Sequence, residues 1–193
     1  MEISTKKKFE VGDFMRRVFK CDLSQKGIEN LIKELKNYRD VILPNRCREL
    51  VERLAEIGIE TARVYIGQSP LGHYVSIRTE LKPETMGCKA IIIATGETKV
   101  SDEYNDFNTL LAIEFGAGIH YNKDANPKAN ELGFGVGTFP GQIHAFEDGW
   151  YYWDEESQSW RYTHGVKATM PMYNASIEII KNIQKIAKEV FSK

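Results

Sequence analysis

Long apolar runs are missing from this chain. The longest, Ala90–Ala94, covers five residues, far short of the roughly 20 that a membrane-spanning helix needs. Cysteine is scarce as well. Cys21, Cys47 and Cys88 are odd in number and widely spaced, so they form neither a CxxC metal motif nor a disulfide framework. A reducing compartment is therefore expected. Neither sign of charge is in excess: 26 Lys and Arg stand against 27 Asp and Glu, a net charge of −1. A protein that grips nucleic acid broadly carries a basic surplus. Here only Lys6-Lys7-Lys8 and Arg16-Arg17 form local basic clusters. No apolar segment follows the basic N-terminus, so a signal peptide is not expected. Internal repeats and low-complexity tracts are also lacking. What remains is ordinary for a soluble globular domain: 193 residues, 42% hydrophobic and 27% charged. That length can bury a core without staples.

Three kinds of periodicity follow one another along the chain. Val11, Phe14, Met15, Val18 and Phe19 recur at helical spacing, which predicts a short amphipathic helix over 12–20 behind a charged arm. Ser24 is a fitting N-cap for a helix whose face is Ile28, Leu31, Ile32 and Leu35, running to Arg39. Pro44 breaks the pattern, because a proline inside a helix costs about 3 kcal/mol. A second helix is expected to start there, with Cys47, Leu50, Val51, Leu54, Ile57 and Thr61 as its stripe, ending near Tyr65. Beyond the turn-rich Gly67–Gly72 the period changes to two. Residues 74–81 alternate as a half-buried strand, Lys82–Thr85 turn, and Cys88–Thr95 read as a more apolar partner strand. Asn108–Phe115 is ambiguous between strand and short helix. His120–Ile143 is irregular and Gly-rich, the composition of a functional or flexible loop.

All three tryptophans fall within Gly149–Ala175. Trp150-Tyr151-Tyr152-Trp153 and Trp160-Arg161-Tyr162 flank an acidic, polar segment, which predicts a β-hairpin. Thr163-His164-Gly165 follows. A last helix is expected from Pro171, with Thr169 as N-cap and Ala175, Ile179, Ile183, Ile186 and Val190 as its inner face.

Motifs that would carry chemistry fail on context. Gly133, Gly135 and Gly137 are followed by Thr138-Phe139-Pro140, which cannot open the helix that a dinucleotide site requires. His73, His120, His144 and His164 show no metal-ligand spacing, even with Glu114 or Asp148 as partners. Cys88 lies in a hairpin beside an apolar run, not in an electropositive site that would activate a thiol. Asp154, Glu155 and Glu156 cluster at a hairpin tip, whereas a glycosidase pair must face across a cleft. Two uses of the hairpin survive: a protein interface, or a carbohydrate-binding platform built on Trp150, Trp153 and Trp160.

Ile113-Glu114-Phe115-Gly116, Thr163-His164-Gly165 and Ala168–Ala175 (ATMPMYNA) together resemble the tailed-phage neck proteins. These are minor structural proteins, often called minor capsid proteins, of head–tail joining and tail completion. In that family a long N-terminal helical region precedes a small antiparallel sheet. An acidic-aromatic-glycine step lies mid-chain, and a hydrophobic-aromatic-x-x-Ala entry opens the C-terminal helix. The resemblance covers Ser24–Phe191. One departure is Met170-Pro171-Met172-Tyr173-Asn174, which stands where the family has Phe-Met or Phe-Leu before the helix and often Arg-Pro after it.

The resemblance implies an α+β fold: a small antiparallel β-sheet, a long N-terminal helical region and a C-terminal amphipathic helix packed on it. Residues 1–22 would be an arm and 23–193 one domain. It implies no catalytic centre, cofactor or metal. It implies a homo-oligomeric ring at the neck of a virion or phage-tail-like particle, assembled in the host bacterial cytoplasm without a membrane. Portal, adaptor and tail proteins would be its neighbours, and DNA would cross the lumen unread. The interface residues expected on this reading are Trp150, Tyr152, Trp153, Trp160, Tyr162, His164, Phe134, Phe139, Met172 and Tyr173.

Overall fold

The computed structural model describes residues 19, 22, 24–85, 87–99, 107–118, 126–133, 148–154 and 157–192. Its fold is α+β. Helix α1 (Gln25–Asn37) starts at Ser24, whose hydroxyl accepts from Gly27 N at 3.1 Å. The second helix starts where expected, with Pro44 in its first turn, but the break expected before it does not occur. A π-helical turn over Tyr38–Ile42 joins α1 directly to α2 (Leu43–Gly67), and Leu43 N donates back to Tyr38 O. A proline lacks the N–H that an α-turn would use and crowds the carbonyl behind it. The widened turn takes up both defects, so the helical rod continues. Of the arm expected over 1–22, only Phe19 and Asp22 are described. The Phe19 ring meets Tyr38 edge-on at 6.0 Å.

A 3-10 turn (Gly72–Tyr74) leads into a ribbon of β1 (Val75–Glu84) and β2 (Gly87–Gly96), paired antiparallel from Val75↔Gly96 to Glu84↔Gly87. The strands are longer than the period predicts. Pro83 stays in β1 opposite Cys88, because in a two-stranded ribbon a proline facing the open edge costs no ladder bond. Short strands β3 (Thr98–Lys99) and β4 (Phe107–Asn108) pair next. The ambiguous segment is helix α3 (Thr109–Phe115), capped by Asn108, whose side chain accepts from Leu111 N at 3.1 Å. The ribbon of β5 (Trp150–Asp154) and β6 (Ser159–Thr163) and helix α4 (Pro171–Phe191) complete the order.

Helix α2 is the centre of the packing. Its buried line is Ala55, Gly58, Ala62 and Ile66, not the larger stripe that the sequence offers. Small residues there admit two neighbours at once. A Cβ on Gly58 would lie 2.6 Å from Ile92 of β2 and 2.7 Å from Ile179 of α4. Ala62, Ile66 and Ala175 form one buried cluster, joined by Val75, Ile77 and Met172. Helix α4 runs antiparallel to α2. At its far end Arg46 Nη1 donates to Val190 O at 3.1 Å, and Arg53 pairs with Glu189. Ile183, expected on the inner face, is exposed. Steps of four residues drift about 40° each around a helix, which carries it past the edge.

Helix α1 buries no residue. Its predicted apolar face is present, but Ile28, Ile32 and Leu35 are each more than 40% exposed, as is Val41 beyond them. No helix among the described residues is long and apolar enough to cross a membrane.

Candidate functional site

Glu114 is the one charged residue of α3, and it is 7% exposed. A buried carboxylate without partners is expensive. Its partners here are N–H groups. Met172 N donates to Oε2 at 2.8 Å, while Tyr173 N and Asn126 Nδ2 donate to Oε1 at 3.0 and 2.9 Å. Asn126 is itself buried. Met172 and Tyr173 lie in the first turn of α4, where backbone donors have no partner within the helix. Glu114 therefore caps α4 from another element, at the positive end of the helix dipole. Burial pushes its carboxyl above the usual Glu range, while the bonds from Met172, Tyr173 and Asn126 pull it part of the way back.

The cap expected from Thr169 is corrected by this arrangement. The N-cap position is Met170, in the left-handed conformation at φ 56°, with no side-chain capping bond. The Thr169 hydroxyl is buried and makes no hydrogen bond among the described residues. Thr169 N and Met170 N both donate to Ile113 O, at 2.9 and 3.3 Å, and Asn174 Nδ2 donates to the carbonyls of Thr169 and Met170. The strained Met170 is thus held from both sides.

The next residues of the same motif hold the hairpin. Ala117 and Val166 exchange both backbone bonds, at 3.0 and 2.7 Å. Gly165 has φ +100°, and a Cβ there would lie 1.8 Å from Ala117 O. Gly118 has φ +88°, with the Trp150 ring 3.0 Å from where its Cβ would be. Glycine is required at both positions, for conformation and for close approach. Residues 113–118, 163–166 and 169–173 therefore form one knot, with Trp150 laid over it.

Beyond Trp150 the hairpin leaves the body. The register Tyr151↔Tyr162 and Trp153↔Trp160 puts four rings on one face of the ribbon. They are 45–67% exposed. The Tyr151 and Tyr162 centroids are 5.0 Å apart at 59°, and the two tryptophans are 5.7 Å apart at 72°. His164 extends this row, edge-on to Tyr162 at 5.0 Å. The opposite face carries Tyr152 and the Arg161–Asp154 ion pair at 2.7 Å.

Among the residues expected at an interface, Trp153, Trp160 and Tyr162 share the exposed face, and Tyr152 is exposed behind it. Trp150 and His164 are half-buried at the hairpin base. Met172 packs into the α2 cluster, and Tyr173 is half-buried in the first turn of α4. Phe134 and Phe139 lie outside the described residues. Tyr151 belongs with the four rings but is not among the interface residues that the sequence suggests. The period of two, counted from Trp153, is the signal that finds it.

Among the described residues no group of three His, Cys, Asp or Glu is placed to hold a metal. His73 packs on Tyr74, while His120 and His144 lie outside the described residues. Cys88 is half-buried and, with Cys47, Leu50 and Val51, lines an open groove of about 600 Å³. No family model matches the chain, and no curated protein or solved structure is significantly similar to it.

Proposed function

We propose that this protein is a structural component of the neck of a tailed phage or phage-tail-like particle. It acts as a head–tail connector or tail-completion subunit and works by subunit contacts that close a ring. The observation that carries this reading is the knot. The three segments on which the resemblance to neck proteins rests are joined by hydrogen bonds between residues as much as 59 apart. They meet in space, and together they anchor an aromatic hairpin and the last helix to the body. Both Glu114 oxygens are occupied by N–H donors, which supports a structural role for the motif's one carboxylate. A near-neutral charge also suits a channel that must release DNA. Particles assembled without this protein should show filled or leaking heads with no tails attached. Fully joined, infectious particles would remove the proposal.

The exposed rings support a second reading, a carbohydrate-binding module. Sugars stack on rings that present their flat faces together. Here the cross-strand pairs are tilted by 59° and 72°, which favours ring edges that interlock with side chains. If the sugar reading holds, tryptophan fluorescence shifts on titration with a glycan panel and Trp160→Ala abolishes the shift. We expect flat titrations.

A further inference from the structure

Cys47 and Cys88 line the same groove, at the open end of the seam between α2 and the β1–β2 ribbon. One belongs to a helix and the other to a strand, so their meeting is a product of the fold. We infer that they form a dithiol site. A small disulfide of the glutathione class oxidises them to a Cys47–Cys88 bond, which ties the start of α2 to the free end of the ribbon.

The seam itself fixes their placement. A Cβ on Gly58 would lie 2.6 Å from the Ile92 side chain, so these two residues face each other. Cys47 lies about three helical turns before Gly58, on nearly the same line of α2. Cys88 lies two pleat repeats before Ile92 in an unbroken register, so the period of two puts it on the same face of the ribbon. Those steps cover about 16 Å on the helix and about 13 Å on the strand. The two cysteines therefore arrive at nearly the same level. A second contact agrees. Arg48, the neighbour of Cys47, is close enough to interact electrostatically with Cys88, while its guanidinium bonds Glu52 at 2.7 Å.

Both thiols are half-buried, and a groove of about 600 Å³ gives access to them. A disulfide needs its Cα atoms within about 7 Å of each other. The ribbon has only two strands among the described residues, and its end at Lys82–Thr85 is exposed. Bending of that end towards α2 closes the groove.

The exchange runs in two steps. One thiolate of the pair attacks a sulfur of glutathione disulfide. The S–S bond of glutathione breaks, a protein–glutathione bond forms and one glutathione thiolate leaves. The second cysteine then attacks the protein sulfur of that mixed bond, the Cys47–Cys88 bond forms and the second glutathione leaves. The pair gives up two electrons and two protons, and one glutathione disulfide becomes two thiols. Excess glutathione thiol reverses the reaction. This site is independent of the neck proposal, and either can fail without the other.

The test uses the full chain with Cys21→Ser, which leaves these two cysteines alone. The protein is equilibrated in mixtures of reduced and oxidised glutathione, quenched with acid and weighed by mass spectrometry. Oxidation should remove two hydrogens and leave no glutathione attached, and a peptide map should join the segments that hold Cys47 and Cys88. The same equilibrium in denaturing urea supplies the reference. Folding should favour the bond by about tenfold or more, because it raises the effective concentration of one thiol at the other. Thiols that stay free, two retained glutathiones, a bond between chains, or a native preference no greater than that in urea would each overturn the inference.

Discussion

Glu114→Ala is expected to cost about 3–4 kcal/mol of folding stability, because it strips the partners from two backbone N–H groups and one buried amide. For a chain of this size that lowers the melting temperature by about 10 °C. The loss should be local first: amide exchange at Met172 and Tyr173 accelerates before the rest of α4 opens. Glu114→Gln is the finer probe. It keeps the shape and one acceptor, but turns an NH₂ group towards a donor, so it should cost about 1–2 kcal/mol. It also removes a titration. Burial holds the Glu114 carboxyl above the 4.5 of a free side chain. In the pH interval above that value the folded state binds more protons than the unfolded one. Wild-type stability therefore falls as pH rises through the interval, and no further change comes from this group above its folded value. Subtracting the Glu114→Gln profile from the wild-type profile isolates that fall. A difference that rises with pH there would show that the three hydrogen bonds outweigh burial.

Gly165→Ala is expected to be comparably severe. A left-handed φ costs a residue with a side chain about 1–2 kcal/mol. The new Cβ would also lie 1.8 Å from Ala117 O. Backbone stands against backbone there, so no rotamer change relieves the clash, and the Ala117–Val166 bridge must open. The total should reach about 3 kcal/mol or more, with exchange protection lost at Ala117 and Val166. Gly133 supplies the control. Its φ is +81°, but nothing lies within 4 Å of its Cβ position, so Gly133→Ala should cost only the conformational term, about 1 kcal/mol. Equal losses at the two glycines would mean that the knot is not packed as described.

Much of the fold is legible in the sequence because it rests on local periodicity. Helices α1, α2 and α4 follow from a spacing of 3.6 and strand β1 from a spacing of 2, while strand β2 follows from its apolar run and the β5–β6 hairpin from its β-favouring rings and polar turn. What is not legible depends on neighbours. Nothing around Pro44 announces that a π-turn will carry the rod through it. The core line of α2 runs through Ala55, Gly58 and Ala62, which hydropathy ranks below Leu50 or Leu54, because close approach of Ile92 and Ile179 matters more there than side-chain area. Glu114, Gly165 and the last helix can be marked as a motif, yet the carboxylate's role needs a partner 58 residues away in sequence. Thr169 looks like the cap because capping rules are local, whereas the cap used here is tertiary. An aromatic-rich hairpin suggests rings packed between sheet, last helix and a neighbour. Within the described chain Trp150 lies against the knot and Tyr162 meets His164 at its edge, while Tyr151, Trp153 and Trp160 are exposed. A two-stranded ribbon is marginal by itself in water, which is a physical reason for such a face to seek a partner.

The most direct measurement of the central claim is an electron cryo-microscopy reconstruction of the head–tail junction, from particles produced by a host that carries this chain. The account predicts a closed ring at the neck, each subunit fitting the α2–α4 body with its β1–β2 ribbon. A junction whose density is fully explained by other proteins, in particles that lack this chain, would contradict it.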